Sequence, residues 1–502
     1  MRSTNSGHLS RTAAGLGGVC AVAILLSSCT GRSPADEEAA KKRRGDALLL
    51  ARAPAFVPEE LEASLDAMGI KRLYVAAATL AKDGRVVPLP PPPARLRRPV
   101  VVTVMGEEDA ASQLSGARGE LVGAIWAKGI SKVLSDARSW GTVVGLHIHI
   151  APTEAQAGPL AVAIRSLRAA IGNVPVSVTL PPDVSPASWK PLVGLVDEAL
   201  VFSFGRRPEM GGQLVPDFPE EAARAMPLPF RVLLATGGYG RTGDGASWNG
   251  KRVLDGKVDE LSEDRSLDFH FGQVLSSEPG SLYTFRPREG SSTAGDMRYV
   301  RFQLLSAGDA ARFLGAVSRW AVPQFSGRVF LLEGVPSDGH LVGFGAVKAL
   351  LTGKSLDPDM DLATSPGASG PGWVEFSLTA AYTAPAPTDL SHYDNWVELR
   401  LEGGVFQSVR AGEFDRFELL TSEADGSKPA TFSRAVVCRL HDNFFAPGEI
   451  KQAGPFRMTS GHARAFVSFR LGTPDGKTVK SAEVEIRLPT ETRPPPPRRS
   501  GR

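Results

Sequence analysis

Two histidines separated by a single residue are the side chains in this sequence best placed to do chemistry. Residues 145–152 read Gly-Leu-His-Ile-His-Ile-Ala-Pro, a pattern that indicates a strand followed at once by a loop. Because side chains alternate across a strand, His147 and His149 would share one face. Two such imidazoles can bind a zinc ion, contact a sugar in a cleft, or hydrogen-bond to neighbours inside the protein. All three interpretations are open, and His270 or His340 could supply a third metal ligand.

Acidic and other polar side chains follow several of the apolar runs that we predict to be strands. The carboxyl groups are Glu107, Glu108, Asp183, Glu333 and Asp338, and Arg206 and Tyr239 accompany them. Glycoside hydrolysis needs two carboxyl groups at a cleft, so the catalytic candidates are Glu333, Glu107 and Glu108. The candidate ligand-binding residues are His147, His149, Asp183, Arg206, Tyr239 and Asp338. An acidic cluster in loops is also typical of a solvated rim, which is the competing interpretation.

Eight short apolar runs alternate with segments of helical period, and the runs carry apolar residues on both faces, as strands buried on both sides do. They cover residues 47–53, 72–80, 100–105, 143–150, 176–180, 199–204, 231–235 and 328–332. This alternation is typical of a parallel sheet with helices outside. Units of this kind over residues 46–355 predict an α/β fold, a (β/α)8 TIM-like barrel, with its functional site where the strands end. A doubly wound open sheet is the structural alternative.

The spacing of the apolar runs breaks between the seventh and the eighth. A glycine-rich stretch, residues 237–245, opens this interval. No Gly-Lys-Ser/Thr ends it, so we interpret it as a flexible loop rather than a phosphate-binding loop. A long excursion after a barrel strand is usually a lid or a wall of the substrate cleft.

The chain changes character after the predicted barrel. Pro, Gly, Ser and Asp are frequent in residues 356–371, which we predict to be a linker. Residues 372–490 carry strand patterns separated by turn signals, which are typical of an all-β sandwich. The strand patterns cover residues 374–378, 396–401, 414–420, 435–440, 465–471 and 484–488. Trp373 and Trp396 fit either the core of this domain or a sugar-stacking surface, and residues 491–502 form a Pro/Arg-rich tail.

The first residues of the chain resemble the lipobox of bacterial lipoproteins. Two arginines precede a short apolar run, and the sequence Leu-Ser-Ser-Cys ends at Cys29. A positive region and an apolar stretch too short to span a bilayer are typical of a signal peptide. The resemblance implies removal of residues 1–28, lipid on Cys29, a tether over residues 29–45 and an anchor in the outer membrane. Cys438 would then remain without a partner for an intrachain disulfide.

A second resemblance lies in the histidine strand itself. Family-18-type glycoside hydrolases carry Asp, Asp and the catalytic Glu at alternate positions of the fourth barrel strand, and this chain has His147, His149 and Ala151 there. Because alanine cannot donate a proton, the resemblance implies a glycosidase-like barrel without that chemistry. Other segments resemble an uncharacterised bacterial family whose barrel is related to glycosidases. These segments are residues 73–77, 143–152, 176–182, 196–204 and 330–338.

Composition and missing motifs exclude several classes of function. The net charge of +3 is too small to argue for nucleic acid, and no basic stripe with interleaved aromatic residues is present. A hydrophobic content of 42% is ordinary for a globular protein with a core. No Gly-x-Ser-x-Gly elbow and no Gly-x-Gly-x-x-Gly after the first strand occur. We therefore predict no cofactor and assign no metal ligand in the main interpretation, with the metal-binding histidine pair kept as an alternative; the sequence indicates no particular protein partner.

Taken together, these features predict a lipoprotein held to the lipid bilayer through Cys29, whose barrel binds a cell-surface or extracellular glycan without the usual catalytic acid. One alternative is an active glycoside hydrolase that uses Glu333 with Glu107 or Glu108. The other is a metal-dependent hydrolase that uses the histidine pair.

Overall fold

The structure is a computed structural model. It describes residues 45–51, 58–107, 110–114, 119–150, 152–182, 184–202, 204–207, 213–216, 218–235, 239–243, 253–254, 267–274, 281–287, 299–304, 307–332, 343–389, 395–421, 428–459, 463–473 and 476–486. The predicted signal peptide, Cys29 and the C-terminal tail lie outside these residues. Among the helices of the described part, none is both long and apolar enough to cross a membrane.

Within the described residues, eight parallel strands close into a barrel. In chain order they are β1 (Ala47–Leu50), β2 (Arg72–Leu80), β4 (Val100–Gly106), β5 (Val143–His149), β6 (Val176–Leu180), β7 (Glu198–Phe202), β10 (Phe230–Ala235) and β16 (Phe325–Leu332). Each strand pairs with the next along this order, and β1 pairs with both β16 and β2, which closes the ring. The predicted barrel is therefore confirmed, and the open-sheet alternative is wrong.

Side chains that alternate along the barrel strands belong to two apolar clusters. The outer cluster contains the strand side chains that point away from the barrel axis and the helix side chains that pack on them. The inner cluster contains the side chains from the opposite face of the same strands. The inner cluster includes Ala47, Leu49, Tyr74, Val101, Leu200, Leu233 and Val329. This alternation is the pattern expected for the filled interior of a closed barrel.

Helices surround the barrel on most sides. They are α1 (Pro58–Ala67), α2 (Gly119–Ala137), α3 (Ala157–Ile171), α4 (Glu220–Ala225), α5 (Ala307–Val317) and α6 (Phe344–Thr352), with 3-10 turns η1 (Ala110–Leu114), η2 (Glu154–Gln156) and η3 (Pro186–Leu192). In α2, Val122, Trp126, Ile130 and Val133 are buried at helical spacing. The burial of this apolar face against the barrel stabilises the helix.

The helix expected between the second and third barrel strands does not form. Residues 81–99 instead contain the short antiparallel strand β3 (Val86–Pro88), which pairs with β2. Four consecutive prolines at residues 90–93 follow. Proline lacks the amide hydrogen that a helix interior requires, so this unit departs from the predicted strand–helix repeat.

The long interval after β10 contains an antiparallel sheet. Its described strands are β11 (Tyr239–Gly243), β12 (Val253–Leu254), β13 (Leu267–Val274), β14 (Ser281–Pro287) and β15 (Tyr299–Leu304), in the order β12-β11-β15-β14-β13. The interpretation of residues 237–245 as a flexible loop is thus wrong for Tyr239–Gly243, which pair with β15 along their whole length. A separate hairpin, β8 (Phe204–Arg207) with β9 (Gln213–Pro216), follows the sixth barrel strand.

The C-terminal part forms two antiparallel sheets that share one apolar core. One sheet has β17 (Met360–Gly370), β18 (Trp373–Tyr382), β23 (Ile450–Thr459) and β20 (Phe406–Ser408); the other has β21 (Arg416–Leu420), β22 (Val437–His441), β19 (Trp396–Glu402), β24 (Arg464–Gly472), β25 (Thr478–Lys480) and β26 (Val484–Ile486). Phe376 and Phe456 from the first sheet and Leu399 and Val467 from the second lie in the shared core. The predicted β-sandwich is therefore confirmed.

The predicted linker differs from the structure. Met360–Gly370 form β17, which pairs with β18 at the edge of its sheet. Its register shifts between Pro366 and Ser369. Proline and glycine are tolerated at an edge strand with a bulge, and this explains how a composition typical of a linker folds as a strand.

Candidate binding site at the barrel mouth

The fourth barrel strand, β5, places both histidines inside the barrel. His147 pairs in register with Thr103 of β4 and Ser177 of β6, and His149 pairs with Met105. Leu146 and Ile148, at the alternate positions, pack with the outer cluster instead. His147 is fully buried, whereas His149 is half-buried near the C-terminal end of the strand.

Hydroxyl groups of β6 connect the two imidazoles. His147 Nδ1 lies 3.0 Å from Ser177 Oγ, and His147 Nε2 lies 3.0 Å from Thr179 Oγ1. Thr179 Oγ1 also lies 2.8 Å from His149 Nδ1. We call the four residues Ser177, His147, Thr179 and His149 the hydroxyl–imidazole chain. Both nitrogens of the inner ring are therefore occupied by protein groups.

Burial keeps both imidazoles neutral. Desolvation, together with the neighbouring ring of His149, holds the pKa of His147 well below its ordinary value. Desolvation also lowers the pKa of His149 to about 4. At neutral pH each ring therefore carries one proton and no charge, and can hydrogen-bond without contributing a cation to the site.

The interior side chains at the C-terminal ends of the barrel strands, Met105, His149, Phe202 and Leu331, form what we call the floor of the barrel mouth. This floor combines apolar surface with one imidazole edge. The ring of Phe202 meets that of His149 edge-on, with centroids 5.6 Å apart. Met105 and Leu331, both half-buried, pack on the barrel interior beside them. Among the residues that the structure describes, His149 Nε2 has no hydrogen-bond partner. This mixture of apolar walls and a few polar atoms is typical of small-ligand sites.

A buried charged group lies deeper in the barrel, towards its N-terminal end. Glu198 accepts a hydrogen bond of 2.9 Å from Arg231 and one of 3.1 Å from the Tyr74 hydroxyl. Arg231, which is fully buried, also donates to the carbonyl oxygen of Gly45. The Tyr74 ring contacts His147 edge-on, with centroids 5.4 Å apart. Polar groups at this end of a barrel serve stability rather than catalysis.

Of the three predicted catalytic carboxyl groups, the structure describes only that of Glu107. Glu107 follows β4 at an exposed rim, where its carboxylate accepts a hydrogen bond of 3.2 Å from the Lys82 amide. The other predicted acids lie outside the described part of the chain. They are Glu108, Asp183, Glu333 and Asp338. Whether Glu107 acts as an acid therefore stays a prediction.

Arg206 and Tyr239 lie outside the barrel strands. Arg206 pairs with Leu214 in the hairpin that follows the sixth barrel strand, and Tyr239 pairs with Gln303 in the antiparallel sheet. The sixth barrel strand ends at Phe202, two residues earlier than the predicted run 199–204, so Arg206 follows it within the separate hairpin. Their roles in ligand binding remain predictions.

The metal interpretation finds no support in the described part of the chain, which contains no group of three or more potential ligands. His270 belongs to β13, and His340 lies outside the described residues. The two histidine rings have centroids 5.7 Å apart and are tilted by 58°. Each ring already contacts the Thr179 hydroxyl, so the geometry favours hydrogen bonding over a shared ion.

The two tryptophans considered for sugar stacking are covered by arginines. The guanidinium of Arg457 lies 4.1 Å from the ring centroid of Trp373, and that of Arg439 lies 4.8 Å from that of Trp396. These cation–π contacts occupy ring faces that a sugar would need. We therefore place the candidate site at the barrel mouth rather than at these two tryptophans.

Sequence reasoning missed the polar residues around the histidines. Ser177 and Thr179 contact the imidazoles through their hydroxyls, and Tyr74 contacts the His147 ring edge-on. Beneath them, Glu198 accepts hydrogen bonds from Tyr74 and Arg231. Each is a polar residue within or beside an apolar run, at the strand position that faces the interior. Assigning alternate residues of each apolar run to the two strand faces would have found them, since a polar residue on an otherwise apolar buried face requires a partner.

No protein-family profile matches this chain, and no curated protein matches it in sequence. Several solved structures are similar in fold, including the following three. The spore cortex-lytic enzyme SleL of Bacillus megaterium has 12% identity and a TM-score of 0.35, with 57% of this chain and 70% of that chain covered. A chitinase of Chromobacterium violaceum has 14% identity and a TM-score of 0.36, with 61% and 99% covered. A glycoside hydrolase has 9% identity and a TM-score of 0.32, with 84% and 93% covered.

These TM-scores lie below 0.5 and carry no argument about activity. The barrel itself is shown by the strand pairing of this chain. The chain thus has a closed α/β barrel whose similar solved structures include glycoside hydrolases.

Proposed function

We propose that this protein binds a glycan at the barrel mouth and does not cleave it through the fourth barrel strand. The observation that carries the proposal is the position of His147 and His149. Both lie on the interior face of β5. In the resemblance to family-18-type hydrolases, they stand where that motif has two acids, and Ala151 stands where it has the catalytic Glu.

The chemistry of the two rings supports binding rather than general acid catalysis. A general acid must carry a proton near the working pH. His149, with a pKa of about 4, is unprotonated on one nitrogen at neutral pH. His147 is sealed inside the barrel with both nitrogens within hydrogen-bond distance of hydroxyls, so it cannot reach a glycosidic oxygen.

The floor of the mouth supports a sugar as the ligand. A pyranose ring has apolar C–H faces and hydroxyl groups around its edge. The half-buried Phe202 and Met105 offer apolar contact, and His149 offers a hydrogen-bonding edge beside them. A ligand with both kinds of surface fits such a floor better than a purely apolar or a strongly charged one.

A glycan array probed with the full-length protein tests this proposal. We expect binding to oligosaccharides, with His149→Ala reducing the signal at least tenfold, because the imidazole edge and its ring contact with Phe202 are both lost. Glu120→Gln, at an exposed position in the first turn of α2, is the control and should bind within twofold of the wild type. Absence of binding to any glycan, or equal binding by His149→Ala, would contradict the proposal.

We also propose that the protein is exported and held to the outer membrane through lipid on Cys29. The lipobox pattern Leu-Ser-Ser-Cys supports this location. Metabolic labelling with an alkyne-tagged palmitate should modify the wild type and not Cys29→Ala, which should appear in the soluble fraction. Equal labelling of the two proteins would reject the assignment.

A further inference from the structure

The hydroxyl–imidazole chain has a direction, and the direction determines what His149 offers to a ligand. A neutral imidazole has one N–H and one acceptor nitrogen, and a hydroxyl has one proton to donate. Each link therefore depends on the previous one. Once one hydroxyl proton is placed, the tautomers of both histidines follow.

The starting point is Ser177. Its hydroxyl lies 3.3 Å from the carbonyl oxygen of Leu146, a group that can accept and never donate. If Ser177 donates there, His147 must donate through Nδ1 to Ser177 Oγ. His147 Nε2 then accepts from Thr179, and Thr179 Oγ1 accepts from His149 Nδ1. This direction uses four buried hydrogen bonds and leaves His149 Nε2 with a lone pair.

The opposite direction satisfies fewer groups. Ser177 would donate to His147 Nδ1, His147 Nε2 would donate to Thr179, and Thr179 would donate to His149 Nδ1. This arrangement makes three hydrogen bonds, because the Ser177 proton no longer reaches Leu146. Buried Ser177 and Thr179 are 6% and 0% exposed, so water cannot replace the missing bond and the first direction is favoured.

We propose that the hydroxyl–imidazole chain fixes His149 as its Nδ1–H tautomer, so that Nε2 faces the barrel mouth as a hydrogen-bond acceptor for a hydroxyl or amide N–H of the ligand. Thr179 is a positioning residue, since it acts through His149. This inference rests on the proposed function for the nature of the ligand, because sugars supply hydroxyl donors and acetamido sugars add an N–H donor.

Ring ¹⁵N NMR of the full-length protein labelled at histidine tests the tautomer without any ligand. In the wild type we expect both His147 and His149 to carry the proton on Nδ1 and to show an unprotonated Nε2. Detection of a proton on His149 Nε2 at neutral pH would overturn the proposal. His149→Ala assigns the signals, because its ring resonances disappear.

Two threonine variants separate positioning from general packing. Thr179→Val removes the hydroxyl between the two rings, so the His149 ring should become a mixture of tautomers. Thr103→Val is the matched control, because Thr103 is also fully buried inside the barrel, and its hydroxyl lies 3.4 Å from the Val101 carbonyl. A His149 spectrum equally changed in both variants, or in neither, would contradict the role of Thr179.

Ser177→Ala provides a second test should Thr179→Val fail to fold. We expect it to shift the tautomer of His147.

Titration with chitotetraose, which carries both kinds of donor, tests the ligand half of the inference. We expect Thr179→Val to weaken binding about tenfold, equivalent to about 1.4 kcal/mol, and Thr103→Val to bind within twofold of the wild type. Unchanged affinity in Thr179→Val would overturn the acceptor role. If wild type with the expected NMR spectrum binds neither chitotetraose nor any arrayed glycan, the proposed function fails while the tautomer assignment stands.

Discussion

At the scale of single residues, the roles of His147 and His149 depend on the side chains that they contact. The spacing of His147 and His149 predicts a shared face, and the structure places both inside the barrel. Their protonation depends on Ser177 and Thr179, which belong to another strand about thirty residues further along the chain. The distance in sequence explains why the histidine pattern alone leaves three interpretations open.

Titration of the histidines predicts how stability depends on pH. The folded pKa of His149 is lowered to about 4, below the value of about 6.5 in an unfolded chain. The unfolded state therefore binds more protons in this range, and stability is complete above about pH 6.5 and falls as the pH drops towards 4. We expect a loss of about 2 kcal/mol from His149, after discounting for its partial exposure.

Urea unfolding followed by circular dichroism between pH 4 and 7 measures this loss. The His149→Asn variant cannot titrate at this position, so its stability should vary less over the same range. The pH dependence of the variant measures the contribution of the carboxyl groups and is subtracted from that of the wild type. If the corrected stability of the wild type is the same at pH 4 and pH 7, His149 is not a buried neutral imidazole.

At the scale of strands and helices, a buried ion pair connects the neighbouring barrel strands β7 and β10. Arg231 of β10 and Glu198 of β7 form an ion pair with nearly complete burial of both side chains. Removing one partner leaves a buried charge, which costs about 3–5 kcal/mol. We therefore expect Arg231→Met to lower the free energy of unfolding by this amount, measured in urea.

Two controls define what that result means. Arg224→Met breaks an exposed pair with Glu220 on α4 and should change stability by less than about 0.5 kcal/mol. The double variant Arg231→Met with Glu198→Leu should recover most of the loss, because the buried carboxylate is removed as well and Arg72, which lies 3.9 Å from Glu198, is partly exposed. A double variant less stable than Arg231→Met would contradict this explanation.

A second prediction concerns the packing of α2 against α3. A side chain at Gly123 would overlap the carbonyl oxygen of Ala163, so Gly123→Ala should destabilise the protein by about 1–3 kcal/mol. At Gly158 of α3 nothing lies within 4 Å of an added Cβ. Gly158→Ala should therefore be neutral or raise stability by up to about 1 kcal/mol. Thermal unfolding compares the two, and equal effects would argue against close contact of these helices.

At the scale of the whole molecule, repetition in sequence predicted the architecture well. The eight apolar runs each became a parallel barrel strand, because strands buried on both faces need apolar residues at every position. The four prolines at residues 90–93 could also have predicted that no helix forms between the second and third barrel strands. By contrast, β17 has a composition typical of a linker, and its strand forms through pairing with β18, which local sequence does not reveal.

The candidate site was predictable only in part, for a physical reason. Alternation along β5 gives the direction of the two histidines. The register between β5 and β6 brings His147 opposite Ser177, and this register depends on barrel closure rather than on either strand alone. The hydroxyl partners and the charged pair beneath them therefore required the folded molecule.

The central claim is that the barrel binds a glycan and does not cleave it through its fourth strand. The most direct test incubates the full-length protein with the glycan that it binds most tightly on the array and measures new reducing ends. We expect bound glycan and no reducing ends above the buffer background. Release of reducing ends by the wild type that is abolished in Glu333→Gln would contradict it and identify an active hydrolase.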